Sequence, residues 1–574
     1  MDWRDRFRAG FVWAATRARE RPDRGVIIAD HEGNEEAYAW DVVTGELRKI
    51  SDSGTAVLEA AIRPDGESIV YHRDTTGSEF GHLHEVPFGG GSSSDLTPEL
   101  PEYAAFTVRV AADVAVAAMA SVDEQSLLRV GREGSEVWPA GSAILDLRLA
   151  VDGSRVAVHE AMDGMFGRTV LRSTKDGSEI DRLDLSRPGP LRGDRVAVGM
   201  HRDGWLRPAI WTPGSGVELL EVDLPGDVRP VDWSADGRRI VLEQWNRATG
   251  SQAIYDTETG VVTPLPSPGG VPAEWLSAEL HGSTVTSVWS DAERPYSAWE
   301  FEGGDARRLL TVAQPDFFRG ASWESVDFPS ADGTLIQGWL MRPPGNGPWP
   351  SILHGHGGPT AAMTAQFSPT CQAWVDSGFA VLSVNYRGST TFGDQYREAL
   401  TRHIGEVDVA DMMAGHAWLL ASGVADPDRI IVSGYSYGGF LALHCPALHP
   451  EAFAGAVAGA PVADWLLIGE DQNAFLDAYD RALFGGDRSE TAELHRRASP
   501  RTYVNRYKAP VLISTPLEDT RTPLRPIEAY VDDMRSAGQE VRLDLLEGGH
   551  AGVGTEQNIR MMESWIEFAR RIVQ

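Results

Sequence analysis

Residues 429–445 read RIIVSGYSYGGFLALHC, and the fold of the second half of the chain turns on them. A run rich in isoleucine and valine passes directly into Gly434-Tyr435-Ser436-Tyr437-Gly438-Gly439 and then into an apolar segment of helical character. G-x-S-x-G between a strand and a helix holds the serine on a strained turn, and only small residues beside it let strand and helix approach closely. The stretch predicts a nucleophile elbow with Ser436 at its tip.

Working outward, strands are expected at 350–354, 380–385, 429–433, 455–459, 511–515 and 541–546, and helices at 407–422, 437–449, 526–537 and 555–573. The last helix repeats apolar residues at helical spacing through Ile559, Met562, Trp565, Ile566, Ala569 and Ile572. Strands alternating with helices indicate a mainly parallel sheet, and residues 316–574 are read as one α/β-hydrolase domain.

A serine hydroxyl needs an adjacent imidazole to take its proton. In this fold the order is Ser, acid, His. Of the four histidines after Ser436, His444 and His449 belong to the elbow helix and its end, and His495 lies in a charged stretch that reads as a solvated face. His550 follows a strand and Gly548-Gly549, so it is the candidate base. Glu518-Asp519 follow strand 511–515 in a loop at the carboxyl edge of the sheet, and Asp519 is preferred as the acid, with its neighbour Glu518 the alternative. Asp464, Asp532 and Asp533 read as solvated. An oxyanion hole needs two N–H donors aimed at the developing charge, and Tyr437 and Gly358 of the strand-to-loop stretch PSILHGHGGP are the candidates. His354 and His356 lack further ligands at metal spacing, so neither a metal nor a cofactor is expected.

The first half is repetitive. PDRGVIIA at Asp23, PDGESIVY at Asp65, AADVAVAA at Asp113, VDGSRVAV at Asp152, RGDRVAVG at Asp194, ADGRRIVL at Asp236 and HGSTVTSV at Gly282 recur at intervals of 42, 48, 39, 42, 42 and 46 residues. A turn followed by an alternating strand, at a period of about 40–45 residues, is the signature of a propeller blade. Seven marks give a seven-bladed β-propeller over residues 23–315, followed by the hydrolase domain near residue 315. Residues 1–22 are expected to be a helical extension packed on the hydrolase domain.

Composition agrees with a cored two-domain chain: 574 residues, 42% hydrophobic and 24% charged. The surplus of glycine and tryptophan fits the tight turns of blades and the flat wedges between them. Lys plus Arg total 52 against 83 Asp plus Glu, and the net charge of −31 disfavours nucleic acid and anionic lipid as partners. Two cysteines, Cys371 and Cys445, exclude a disulfide framework and suit a reducing compartment. The segment Met1-Asp2-Trp3-Arg4-Asp5-Arg6 has no apolar h-region and no run of about 18 apolar residues occurs, so a cytoplasmic location without membrane contact is expected.

The succession HGGP, NYRGST (385–390), GEVDVAD (405–411), GYSYGG, Asp519-Thr520-Arg521-Thr522-Pro523 and GGH resembles the prolyl oligopeptidase family of serine peptidases, and within it the acylaminoacyl-peptidase branch. The resemblance implies Ser436, Asp519 and His550 as a triad, Tyr437 and Gly358 as oxyanion donors, and Arg521 as a residue that binds a substrate main-chain carbonyl; a structural ion pair with a carboxylate is the other reading of Arg521. NYRGST and GEVDVAD resemble segments that pack the domain and the edge of the site. Thr515-Pro516 departs from the His-Gly or His-Pro that usually opens the family's acid loop, and Gly548-Gly549-His550 departs from Glu-Gly-His, which points to a shifted substrate preference. Glu35-Glu36, the one Glu-Glu pair, falls in a first-blade turn, so dipeptidyl activity is not supported. The implied function is hydrolysis of short peptides or acylated amino-acid amides through an acyl-enzyme, with the propeller limiting substrate size; homo-oligomers are usual in such a family. An esterase, amidase or acyltransferase acting on a small metabolite would use the same triad. A propeller that binds peptides without chemistry is the third reading.

Overall fold

The computed structural model describes residues 2–51, 54–140, 142–162, 166–274, 278–312, 320–551 and 553–574. The first six repeated marks each fall in the turn between the first two strands of a four-stranded unit, and the seventh, Gly282, in the turn between Glu279–His281 and Thr284–Ser290 of a five-stranded sheet. Asp23 lies between Phe11–Arg17 and Arg24–Asp30, Asp152 between Ile144–Leu149 and Arg155–Ala161, and Asp236 between Asp227–Trp233 and Arg239–Asn246. At three of these turns the glycine after the aspartate stands at φ +72° (Gly66), +70° (Gly153) and +80° (Gly237), and its N–H closes a tight turn onto the carbonyl three residues back.

Seven antiparallel blades result, in sequence order around the ring. The sheets of blades 2 and 3 are joined where Phe80 pairs with Ala104 and Gly81 with Tyr103. Second strands are sandwiched between neighbouring blades, so Val114–Ala120 is buried at every position. This explains why such strands read as continuous small apolar runs such as VAVAAMA. Blades 1 and 7 form separate sheets. They meet through Val12, Ile27, Trp40, Val288, Ala298 and Leu310, and through a backbone bond from Val12 N–H to the Tyr296 carbonyl at 2.9 Å.

The N-terminal segment differs from the helical extension expected over residues 1–22. Its helix α1 covers only Arg4–Phe7, and Phe11–Arg17 is the innermost strand of blade 1, paired with Arg24–Asp30. The repeat is marked by a turn that follows the innermost strand, so counting from the first mark leaves that strand outside. Helix α1 packs on the second domain, with Phe7 buried beside Trp374 and Arg6 paired to Asp376 at 2.8 Å. The boundary expected at 315 lies within 313–319, outside the described residues.

The second domain is an α/β-hydrolase fold. Its strands are β1 (Glu324–Pro329), β2 (Leu335–Met341), β3 (Trp349–Gly355), β4 (Ala380–Asn385), β5 (Ala425–Tyr435), β6 (Gly455–Gly459), β7 (Val511–Pro516) and β8 (Val541–Leu546), ordered β1-β2-β4-β3-β5-β6-β7-β8. The pairings β1/β2 and β2/β4 are antiparallel and the rest are parallel. Helices α2 (Pro369–Asp376), α3 (Asp394–Glu398), α4 (Val407–Ala421), α5 (Tyr437–Leu448), α6 (Ala474–Phe484), α7 (Ala492–Ala498), α8 (Leu524–Ser536) and α9 (Thr555–Val573) complete it. One face of the sheet packs under Phe440, Met412, Trp465 and Tyr530, the other under Trp374, Trp565 and Phe568. The domains touch where Phe106 of blade 3 stacks on Phe475 at 4.6 Å and where His201 of blade 5 meets Asp394 at 2.8 Å.

Candidate active site

Ser436 caps α5 directly after β5, at φ 59° and ψ −121°, a region a non-glycine residue enters only under constraint. Two glycines make the turn sterically feasible. A Cβ on Gly438 would stand 2.0 Å from the Gly355 carbonyl oxygen, and one on Gly434 would stand 2.6 Å from the same atom. The turn is pinned by the Ser436 N–H donating to the Gly459 carbonyl at 2.9 Å.

Three loops at the carboxyl ends of parallel strands bring the expected partners together. His550 Nε2 lies 3.0 Å from Ser436 Oγ, and His550 Nδ1 lies 2.7 Å from Asp519 Oδ2. Asp519 is buried and accepts from the N–H groups of Arg521 (2.9 Å) and Thr522 (2.8 Å) and from the Thr522 hydroxyl (2.8 Å). Burial pushes the Asp519 carboxyl upward, but its contacts with His550 and Thr522 outweigh that and hold it below the usual carboxylate range. The Tyr435 hydroxyl donates to the His550 carbonyl at 3.0 Å and so anchors the loop that carries the imidazole.

Tyr437 is the first residue of α5, where a backbone N–H has no intrahelical acceptor. The 357–358 loop faces Ser436: a Cβ on Gly357 would be 3.6 Å from the Ser436 Cβ, and Gly358 borders the cavity between the domains. This loop is held by residues the sequence did not single out for the task. His356 bonds Ser389 Oγ through Nε2 at 2.8 Å, and the Tyr386 hydroxyl donates to the His356 carbonyl at 2.8 Å. Burial pushes the His356 imidazole down to about 4, so it is neutral at pH 7. On the other side the Tyr437 hydroxyl donates to Asp408 at 2.7 Å. NYRGST and GEVDVAD meet through a fork between Arg387 and Asp411, 2.7 Å at its shortest, and both reach Tyr437, Tyr386 by stacking on its ring and Asp408 by accepting its hydroxyl.

Arg521 forms an ion pair of 2.9 Å with Glu79, which reaches over from the blade 2 turn; Arg521 also lines the cavity. Nothing local in the sequence marks Glu79, which sits 442 positions away at φ 69°. Two readings of lesser residues are corrected. His495 is buried and stacked on Phe484 with ring centroids 3.6 Å apart, because one side of the short helix α7 turns inward. Asp464 is buried too, bonded to Leu466 N–H at 2.9 Å and paired with Arg501 at 3.2 Å. Among the described residues no cluster of three or more His, Cys, Asp or Glu is placed to hold a metal ion.

Residues 365–574 match the prolyl oligopeptidase family. The matched segment covers most of the hydrolase domain, including Ser436, Asp519 and His550. The acylamino-acid-releasing enzyme of Mus musculus is 27% identical over 342 residues, covering 54% of this chain and 45% of the relative. Acylamino-acid-releasing enzyme 2 of Oryza sativa subsp. japonica is 30% identical over 420 residues, covering 65% and 54%. The chain spans about half the length of the curated relatives it matches. In fold it is similar over its whole length to a Mycobacterium tuberculosis puromycin-hydrolyzing peptidase, with a TM-score of 0.85 at 18% identity, covering 96% of that chain. The propeller and the hydrolase domain together therefore share the two-domain fold of that structure.

Proposed function

We propose that this chain is a serine peptidase that hydrolyses short peptides or N-acylated amino-acid amides by acyl transfer to water. The observation that carries the reading is the chain of contacts Ser436 Oγ–His550–Asp519 at 3.0 and 2.7 Å. His550 takes the Ser436 proton as Oγ attacks the carbonyl carbon, then delivers it to the leaving amine; water repeats the sequence on the acyl-enzyme. Asp519 holds the ring with Nδ1 protonated and stabilises the imidazolium. The N–H groups of Tyr437 and Gly358 face the oxyanion. Substrate reaches Ser436 through the cavity of about 860 Å³ bordered by Gly358, Arg521 and the propeller, a space suited to short chains and too small for a folded protein.

An N-acylated amino-acid amide, a free-amino dipeptidyl amide, an aryl ester and puromycin form the test panel, puromycin because a neighbour in fold is a puromycin-hydrolyzing peptidase. The acylated amide is expected to give the highest kcat/KM, and Ser436→Ala is expected to remove about 10⁴-fold or more of the rate. Faster turnover of the ester with no cleavage of any amide would instead favour an esterase built on the same triad, and full turnover by Ser436→Ala would overturn the nucleophile.

A further inference from the structure

The cavity beside Gly358 and Arg521 continues into the propeller channel, where Arg109 (blade 3), Asp146 and Arg148 (blade 4) and Arg187 (blade 5) line it together with Glu59 and Glu274. Their register puts the arginines at one level. Arg109 pairs with Val116, Arg148 with Ala157 and Arg187 with Gly199, each three or four residues short of the end of its second strand. The turns after two of those strands touch the hydrolase domain: the Ser121 carbonyl accepts from Ala474 N–H at 3.4 Å and the Gly204 carbonyl from Asp394 N–H at 2.8 Å. The belt therefore lies roughly 10–13 Å down the channel, at about 3.3 Å per residue.

Arg109 is open on its cavity side. Its Nη1 donates to the Val108 carbonyl at 2.8 Å and stands 4.0 Å from Glu59, while Nη2 stands 3.8 Å from Asp146; among the described residues Nε and Nη2 make no hydrogen bond, and the side chain is 36% exposed. Both carboxylates are engaged elsewhere. Glu59 accepts from Val108 N–H at 3.1 Å, and Asp146 from Leu147 N–H at 2.8 Å and from Arg148 at 2.7 Å. A fourth arginine, Arg229, is already satisfied by the wholly buried Glu243 at 2.6 Å. Burial pushes Glu59 up to about 7, which leaves it partly protonated at neutral pH, and Glu274 is raised as well, chiefly by burial. Arg187 is pushed down to about 10 by burial and then by Arg229.

We propose that the belt, with Arg109 as its open member, binds the free main-chain carboxylate at the C-terminal end of a peptide whose scissile bond lies at Ser436. A planar guanidinium with a free edge matches a carboxylate with two parallel hydrogen bonds. Covering the depth of the belt takes at least three residues beyond the scissile bond, at about 3.3–3.6 Å each. The proposal rests on the peptidase reading and adds the end of the substrate that is recognised.

The test uses the full chain carrying Ser436→Ala, which binds without turnover, and calorimetry with one hexapeptide as its free acid and as its C-terminal amide. The acid is expected to bind about tenfold or more tighter than the amide. Arg109→Ala in that background should bring the acid down to the level of the amide; if circular dichroism shows that variant unfolded, Arg109→Gln keeps the reach without the charge. Equal binding of acid and amide overturns the belt alone, whereas no binding of either counts against the peptidase reading too. Recovery of full affinity by an amide ending in Glu overturns the main-chain assignment.

Discussion

Asp408 shows at the residue scale how the site is held from behind. Its carboxylate is wholly buried, accepts the Tyr437 hydroxyl at 2.7 Å, and is pushed up to about 6 from 3.8, first by burial and further by Asp411, against the hydrogen bonds that favour its charge. A raised carboxyl binds a proton more readily folded than unfolded, so its contribution to stability is full below about pH 3.8 and is lost as the pH rises through about 6. The span corresponds to about 3 kcal/mol. Asp408→Asn keeps an acceptor for Tyr437 and cannot titrate. Denaturant unfolding of both proteins between pH 4 and 7 should show the stability of the native protein declining relative to the variant by about that amount, since other buried acids cancel in the comparison. A pH-independent difference would remove Asp408 from the titrating groups. The same substitution should lower kcat more than KM if Tyr437 sets the oxyanion donor through its ring.

At the scale of elements the elbow makes the sharpest demand, because β5, the HGHGGP loop and α5 converge on glycine backbones. Gly438→Ala would place a methyl 2.0 Å from the Gly355 carbonyl, where backbone atoms cannot yield, whereas Gly423→Ala at φ +70° meets nothing within 4 Å. The first is expected to cost about 3 kcal/mol or more and to abolish hydrolysis. The second should cost only about 1–2 kcal/mol through its left-handed backbone and leave kcat intact. Comparable losses in the two variants would mean that packing at the elbow is not the constraint. This strand-turn-helix was legible because its pattern is local; β3 to β8 and α4 read as apolar runs between turn residues, and α8 and α9 through their apolar periodicity. Strand Phe11–Arg17 escaped because the repeat is visible only at the turn that follows it. The contacts of His356 with Ser389, Tyr437 with Asp408 and Arg521 with Glu79 escaped for a different reason: each joins residues far apart in the chain, and no periodicity records which buried polar groups meet.

Across the whole molecule, chain connectivity decides where the ring is weakest. Blades 3 and 4 are joined by a short connection even if their faces part, while blades 1 and 7 are adjacent only in space and, among the described residues, are held by side chains such as Val12 and Leu310, a backbone bond at Val12 and the pair Arg17–Glu300 at 3.0 Å. Removing two methyl groups at Val12 therefore acts on a seam that no covalent link restrains. Val12→Ala is expected to lower the local opening free energy by about 2 kcal/mol, a roughly 30-fold rise in amide exchange, in strands Phe11–Arg17 and Ser297–Glu302. Val158→Ala, equally buried between blades 3 and 4, should leave exchange in those two strands unchanged. Because a two-domain chain need not unfold in one step, hydrogen exchange read strand by strand is the suitable measurement. Uniform acceleration in all seven blades on Val12→Ala would show a ring that opens as one cooperative unit and not first at the seam between its first and last blades.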